Sequence, residues 1–139
     1  MTAAEWRAFV LASPARTAAL GVTRADGRPH VAPVWIDLDG DDVIFMTGAG
    51  TVKGKAIRRD PRVSVMVDDD RPPFSFVIID GVAHVSEDLD EMLVWSTRIA
   101  ARYMGAAQGQ QYGRRNAVPG ELLVRVTPTR VVAHADISD

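Results

Sequence analysis

The sequence predicts a mainly β fold, a small antiparallel barrel of six or seven strands with few helices. Short β-like segments follow one another across tight turns in the first third of the chain, which is typical of antiparallel pairing. Strands rarely alternate with helices, which disfavours a doubly wound α/β fold. A chain of 139 residues can bury a core without disulfides, and we expect residues 1–139 to form a single domain.

Two hairpins follow a short helix in the first part of the chain. The predicted elements are a helix over residues 5–11 and strands over residues 16–23, 30–37 and 43–47. Pro14 closes the helix. Asp26-Gly27 is the turn signal of the first hairpin, and Gly40 between two aspartates marks the second. Three strands joined by such short turns predict an antiparallel meander.

The rest of the chain is predicted to hold two helices and four strands. The elements are helices over residues 51–59 and 87–104 and strands over residues 62–67, 74–86, 121–127 and 129–135. Pro61 ends the first of these helices, and Gly81 predicts a bulge or bend in the longest strand. Pro128 is interpreted as the turn between the last two strands. Residues 105–120, rich in Gly, Gln and Asn, are expected to form a mobile loop.

The composition excludes several classes of function. Sixteen basic residues against eighteen acidic ones give a net charge of −2, which leaves no overall basic field to hold nucleic acid. Cysteine is absent, which removes thiolate chemistry and agrees with a cytoplasmic location. No apolar run approaches the ~20 residues of a membrane span, and the first residues lack a signal-peptide layout. The three histidines are far apart in sequence, so no metal site is expected.

The segment from Thr47 to Lys55 has the features of an anion site. It follows a predicted strand and opens a predicted helix, where glycines let backbone N–H groups approach a ligand. Thr51 adds a hydroxyl, and Lys53 and Lys55, the only two lysines of the chain, add charges suited to phosphate. As a Walker A loop, residues 49–56 lack the first glycine and the final Ser or Thr, and as a dinucleotide-binding fingerprint the segment has Lys53 in place of the third glycine. A capped helix with solvated lysines explains each residue singly, whereas the combination favours an anion site.

No side chain stands out in the sequence as an acid, base or nucleophile, so the catalytic residues stay unknown. No serine lies in a Gly-x-Ser-x-Gly elbow, and the aspartates at 68–70 beside two prolines are typical of a solvated turn. An anion site without such groups favours a bound redox cofactor, which carries the reactivity itself. Arg98 and Arg102 share a helix face at i, i+4, and either grip an anionic tail or are solvated.

Two stretches of the sequence carry a likeness to a known family. The more specific one is Val-Lys-Gly-Lys-Ala-Ile-Arg-Arg-Asp-Pro-Arg-Val-Ser-Val at residues 52–65, and the weaker one is Asp-Gly-Arg-Pro-His-Val-Ala-Pro-Val at residues 26–34. With them, residues 15–135 resemble the pyridoxamine 5′-phosphate oxidase-like superfamily, most of all its actinobacterial branch that uses the deazaflavin coenzyme F420. The resemblance implies a split β-barrel of the FMN-binding type and a homodimer with two cofactor sites at the subunit interface.

The resemblance also implies which residues hold the cofactor. The residues near the ring are Ala32, Pro33, Val34, Trp35, Met46 and Thr47, and those near the phosphate are Thr51, Lys53 and Lys55. The other subunit is expected to contribute from Phe74, Ser75, Phe76 and Arg98 or Arg102. Because Pro33 has no N–H, Val34 or Trp35 must donate any backbone hydrogen bond to the ring.

The function implied by the resemblance is that of an oxidoreductase. It transfers a hydride from reduced F420 to an unsaturated organic acceptor, which is a quinone, a tetrapyrrole or an enone. FMN in the same cleft is one alternative, since both cofactors use similar phosphate contacts. The other alternative is a protein without catalytic activity that binds a cofactor or hydrophobic ligand in this cleft.

Overall fold

The computed structural model describes residues 1–139 as seven strands and four helices. The strands are β1 (Ala18–Thr23), β2 (Pro29–Val34), β3 (Asp37–Asp39), β4 (Asp42–Gly48), β5 (Arg62–Asp69), β6 (Ser75–Ser86) and β7 (Glu121–His134). The helices are α1 (Ala3–Val10), α2 (Val52–Arg59), α3 (Leu89–Met104) and α4 (Ala106–Asn116). None of these helices combines the length and the apolar character that a membrane span requires.

All seven strands form one antiparallel sheet in the order β2-β1-β5-β6-β7-β4-β3. Val34 of β2 and Leu38 of β3 stand at opposite edges of this sheet, yet both belong to the same buried cluster. A flat sheet of seven strands separates its edges by about 30 Å, at roughly 4.8 Å per strand. The sheet must therefore curl around a common core, to which every strand contributes. The predicted mainly β, antiparallel fold is confirmed.

Both predicted hairpins form, but the predicted meander is wrong, because the two hairpins lie at opposite edges of the sheet. β1 pairs with β2 as expected, but the strand predicted over residues 30–37 ends at Val34. The chain then forms β3, which pairs with β4 at the other edge of the sheet. It leaves the first edge because α3 binds the backbone of Ile36, whose N–H donates to the Tyr103 hydroxyl at 3.2 Å and whose carbonyl accepts from Arg102.

β4 is buried on both of its faces, and this attaches α3 to the outside of the barrel. Val43 and Phe45 point into the common core. Ile44 points to the opposite side, where it packs with Met92 and Trp95 of α3 in a second, smaller cluster. The helix therefore lies against the outer surface of β4, and the space beside this contact becomes a cavity.

Residues 105–120 contain the helix α4, so the predicted mobile loop is wrong. α4 packs on α3 through Gly109 and Gly113, which are both buried. A Cβ on Gly113 would lie 2.8 Å from the Cα of Thr97, so only glycine lets the two backbones approach this closely. The Ser96 hydroxyl donates to the carbonyl of Gly113 at 2.9 Å and fixes the contact.

The last two predicted strands are in fact one strand, β7, which runs through Pro128 without a turn. Pro128 pairs with Gly81 of β6, where the register shifts between Asp80 and Gly81. A sheet tolerates proline at such an irregularity, because the missing N–H removes no ladder hydrogen bond there. The prediction of a turn is wrong, and the bulge predicted at Gly81 is confirmed.

Candidate functional site

A cavity of about 350 Å³ lies between the outside of the barrel and the α3–α4 hairpin. Its strand side consists of Thr17, Pro33, Val34, Trp35 and Met46. Its helix side consists of Ser96, Ile99, Ala100, Met104, Tyr112 and Asn116. Lys53, near the start of α2, is the only charged residue of the lining. The volume falls within the range of small-molecule sites, which is about 300–1,000 Å³.

The ring of Trp35 is held in the cavity wall by α3. It stacks on the ring of Tyr103, with the centroids 4.8 Å apart and the planes inclined by 2°. The Tyr103 hydroxyl donates to the carbonyl of Arg16 at 2.7 Å and accepts from the N–H of Ile36 at 3.2 Å. Burial raises the pKa of the Tyr103 hydroxyl, so it keeps the proton that it donates. Tyr103 thus fixes an indole that is 42% exposed.

Arg98 and Arg102 lie on α3 but outside the cavity lining. The Arg102 guanidinium donates to the carbonyl of Ile36 and, at 3.0 Å, to that of Val10. Arg98 lies 3.3 Å from the carboxylate of Asp37, which is almost fully buried. Within one protomer, both arginines hold the segment that follows β2. Their contact with the cofactor of a partner subunit stays a prediction.

Two threonines fix the start of α2. Thr51 is the N-cap, and its hydroxyl accepts from the N–H of Gly54 at 3.1 Å and donates to the carbonyl of Gly48 at 2.7 Å. Thr47 is buried, and its hydroxyl lies 3.1 Å from that of Thr51. The hydroxyl hydrogen of Thr51 therefore already has an acceptor, and its role within the chain is to cap the helix.

The two lysines have no acidic partner. Neither Lys53 nor Lys55 has a carboxylate oxygen within 4.0 Å. Lys53 lines the cavity, whereas Lys55 is exposed outside it. The backbone N–H groups of Lys53 and Gly50 also have no acceptor within the chain. An anion near the start of α2 therefore meets an ammonium group and two N–H donors that the fold leaves unused.

The other residues predicted for the site lie apart from the cavity lining. Ala32 lies within β2 and is half-buried. Phe74 precedes β6, and Ser75 and Phe76 begin it. The Ser75 hydroxyl accepts from the N–H of Asp136 at 3.2 Å, which ties this corner to the end of the chain. The contribution of this corner to a site in a partner subunit stays a prediction.

Sequence reasoning missed the helix side of the cavity. Ile99 falls within the predicted helix over residues 87–104 without a predicted role in the site, and Tyr112 and Asn116 fall within the predicted loop. The signal that was available is the four-residue spacing of Gly109 and Gly113, which places both glycines on one face of a helix. Such a face suits close packing against a second helix.

A comparison with known families is decisive for the fold. A family model described as pyridoxamine 5′-phosphate oxidase matches residues 2–135, which include both sides of the cavity. The chain belongs to this family. The split-barrel fold expected from the resemblance is thereby confirmed, and the family has oxidoreductases among its members. No curated protein matches the sequence.

Solved structures share the split barrel. A conserved hypothetical protein from Mycobacterium tuberculosis has a TM-score of 0.85 at 26% identity, covering 99% of this chain and 87% of that chain. An F420 reductase has a TM-score of 0.69 at 22% identity, covering 90% of this chain and 94% of that chain. An FAD-binding protein from Mesorhizobium loti has a TM-score of 0.70 at 21% identity, covering 96% of this chain and 92% of that chain. Members of this fold thus include a reductase and a cofactor-binding protein.

Proposed function

We propose that this protein is an oxidoreductase that transfers a hydride from reduced F420 to an unsaturated organic acceptor of the quinone, tetrapyrrole or enone class. The observation that carries the proposal is a single cavity that collects five of the residues expected around the cofactor. These residues are Pro33, Val34, Trp35, Met46 and Lys53. The F420 reductase among the structural neighbours supports this choice of cofactor.

The start of α2 fits the phosphate end of such a cofactor. Lys53 brings an unpaired ammonium group to the cavity, and the N–H groups of Lys53 and Gly50 are without acceptors. The positive end of the helix dipole acts in the same direction. Thr51 supports this arrangement indirectly, because its cap hydrogen bonds fix the loop that contains Gly50 and the first turn of α2 that contains Lys53.

The strand side fits the ring of the cofactor. Pro33 offers no N–H, but the backbone N–H of Trp35 has no acceptor within the chain and is available to a ring carbonyl. Val34 and Met46 add apolar contacts beside the flat indole. F420, when bound, supplies the hydride, while these residues orient its ring and the α3–α4 hairpin limits the access of water.

We further propose a homodimer, in which a second copy covers the outer face of the barrel. An apolar row crosses β2, β1, β5, β6 and β7 on that face. In register order it consists of Pro33, Ala19, Met66, Ile78 and Val132. The row begins in the cavity wall and includes a partly exposed methionine, so a copy packed on it both buries apolar surface and closes the cavity.

Met66→Glu is expected to convert the dimer to a monomer in light scattering, whereas a monomeric parent protein contradicts this proposal.

Titration of F420 with the purified protein tests the proposed function. We expect a saturable change in the fluorescence of the deazaflavin ring, with one site per chain. The Lys53→Ala variant provides the specificity control, because it leaves the ring contacts in place and removes the ammonium group. A flat titration with correctly folded protein contradicts the choice of cofactor.

FMN is the second candidate, and the FAD-binding neighbour is the observation that favours it. A flavin held by the same contacts gives the purified protein a yellow colour, or binds on addition more tightly than F420. Hydride transfer to any member of a panel of quinones, tetrapyrroles and enones argues against the remaining alternative, a binding protein without catalytic activity. The cytoplasmic location expected from the composition stays a prediction.

A further inference from the structure

We infer that α4 forms the acceptor side of the cavity, where Tyr112 and Asn116 hold the carbonyl oxygen of an uncharged quinone or enone. This inference rests on the proposed function and narrows the acceptor class for the same cavity. Both residues line the cavity and belong to a helix that faces the strand side. They stand four residues apart, so they share one face of α4.

No charged residue of the helix side lines the cavity, and the guanidinium of Arg115, 5.8 Å from the centroid of the Tyr112 ring, belongs to an exposed side chain outside the lining. Lys53 is the only charged residue of the whole lining, and in the proposed function the cofactor phosphate neutralises it. The acceptor then meets apolar surface from Ile99 and Met104 and neutral polar groups from α4. A carboxylate placed there loses its hydration and finds no cation among the lining residues of the helix side, which is unfavourable. The lining therefore favours an uncharged quinone or enone over a tetrapyrrole that bears carboxylates.

Tyr112 and Asn116 are free to bind a ligand. Neither the Tyr112 hydroxyl nor the Asn116 amide makes a hydrogen bond within the chain, because all side-chain hydrogen bonds of this hairpin involve other residues. The hydroxyl of Ser96, in contrast, is committed to the carbonyl of Gly113. A ligand carbonyl in the cavity thus finds an O–H donor and an N–H donor that the fold does not use.

The glycine contacts hold these two donors in place. Gly113 lies between Tyr112 and Asn116 in sequence and touches the backbone of Thr97 on α3. α3 in turn fixes Trp35 on the opposite side through the Tyr103 stack. The distance across the cavity is therefore set by two rigid contacts of one helix.

The proposed reduction is favoured by hydrogen-bond donors beside the carbonyl oxygen of the acceptor. The acceptor carbon gains a hydride, and with it two electrons, from the reduced cofactor, while the electron pair of the C=C bond shifts towards the carbonyl oxygen. The negative charge that develops on this oxygen is stabilised by the Tyr112 hydroxyl and the Asn116 amide. A proton from solvent completes the two-electron reduction, so neither residue has to lose its own proton.

The test measures binding in the absence of turnover. Protein saturated with the oxidised cofactor is titrated calorimetrically with menadione, an uncharged quinone, and with 1,4-naphthoquinone-2-sulfonate, which has the same ring system and a negative charge. The variants are Tyr112→Phe and Asn116→Ala. Gln111→Ala is the matched control, because it lies on the same helix, is exposed and does not line the cavity.

We expect menadione to bind more tightly than the sulfonate. Tyr112→Phe and Asn116→Ala should each weaken menadione binding by about 3- to 10-fold, the range expected for loss of one neutral hydrogen bond. Cofactor affinity should not change, and Gln111→Ala should bind both ligands like the parent protein. Unchanged thermal unfolding of the variants separates these effects from loss of structure.

Three outcomes overturn the inference and leave the proposed function intact. They are cofactor binding without menadione binding, tighter binding of the sulfonate, and variants that leave menadione affinity unchanged or weaken the cofactor equally. Failure of the parent protein to bind any F420 or flavin is a different result, because it removes the proposed function itself.

Discussion

Two charged segments that are close in sequence use their charges in different ways. Residues 37–42 contain four aspartates, and every one is paired with an arginine from elsewhere in the chain. The pairs are Asp37 with Arg98, Asp39 and Asp42 with Arg125, and Asp41 with Arg7. These pairs attach the β3–β4 hairpin to α3, β7 and α1. The charges of the acidic segment therefore stabilise the fold.

The basic segment that begins at Lys53 is only partly paired. Arg58 forms an ion pair with Glu87 at 3.0 Å, and Arg62 forms one with Asp60 at 2.7 Å. Lys53, Lys55 and Arg59 remain without ion-pair partners, and of these only Lys53 lines the cavity. The comparison shows that charge density in the sequence does not identify a ligand site. Charges that the fold leaves uncompensated beside a cavity do.

The largest expected effect is that of Lys53→Ala on cofactor binding. Loss of a charge-assisted hydrogen bond should weaken binding by roughly 1.5–3 kcal/mol, or about 10- to 150-fold. The free energy of unfolding should stay within about 0.5 kcal/mol, because no internal partner loses its ion pair. Fluorescence titration and urea denaturation measure the two quantities. Equal affinity of the variant and the parent would return Lys53 to the role of a solvated surface residue.

Asp37→Asn, unlike Lys53→Ala, should lower the stability of the fold and leave cofactor binding nearly unchanged. The Asp37 carboxylate is 5% exposed, lies near Arg98 and accepts from the N–H of Leu38 at 2.8 Å. Removing its charge should lower the free energy of unfolding by about 1–2 kcal/mol and change cofactor affinity by less than about twofold. Asp41→Asn, in an exposed pair, is the control and should cost less than about 0.5 kcal/mol. A larger loss of stability for Asp41→Asn than for Asp37→Asn would contradict the distinction between the exposed and the buried ion pair.

Acid should remove the stabilisation that the paired carboxylates give to the fold, and it should do so in a defined pH range. The hydrogen bonds from Arg62 lower the pKa of Asp60 to about 2, and those from Arg71 lower the pKa of Asp69. Because the folded pKa lies below the unfolded value, the stabilisation is present at pH 4 and above and is lost as the pH falls towards 2. The thermal unfolding midpoints of the parent and Asp60→Asn should therefore converge as the pH falls from 4 to 2. A difference between the two midpoints that widens as the pH falls would contradict a stabilising effect of the ionised Asp60.

The smallest effect is expected for Lys55→Ala. Lys55 is unpaired like Lys53, but it is exposed and lies outside the cavity lining. Its charge acts only through solvent, so we expect cofactor affinity to fall by less than about threefold, and less still at high salt. An effect as large as that of Lys53→Ala would mean that the bound cofactor extends along α2 beyond the cavity.

Much of the fold and part of the site were predictable from local chemistry. Asp26-Gly27 and Gly40 mark the two hairpin turns, and both glycines adopt positive φ. Thr51 and Pro61 bracket α2, and Gly81 marks the bulge. The strand side of the cavity was predictable because it follows a recognisable family segment.

The helix side was not predictable in the same way. Gly109 and Gly113 lower the intrinsic helix propensity of α4, and the helix is stabilised by a backbone contact with α3 that sequence pattern does not reveal. The strand expected through Ile36 ends early for a similar reason, since side chains of α3 take its backbone hydrogen bonds. Each wrong prediction lies where a distant partner changes the local preference.

The sequence by itself determined where the chain turns, where α2 begins and ends, and that two lysines follow a glycine-containing loop. Turn and cap chemistry acts over about four residues, so a linear pattern is enough to specify it. Only the tertiary structure decided which charges are compensated and which residues line the cavity. Those outcomes depend on contacts such as the one between Arg102 and the carbonyl of Val10, residues separated by 92 positions. Such contacts form only when the barrel closes and α3 packs on its outer surface.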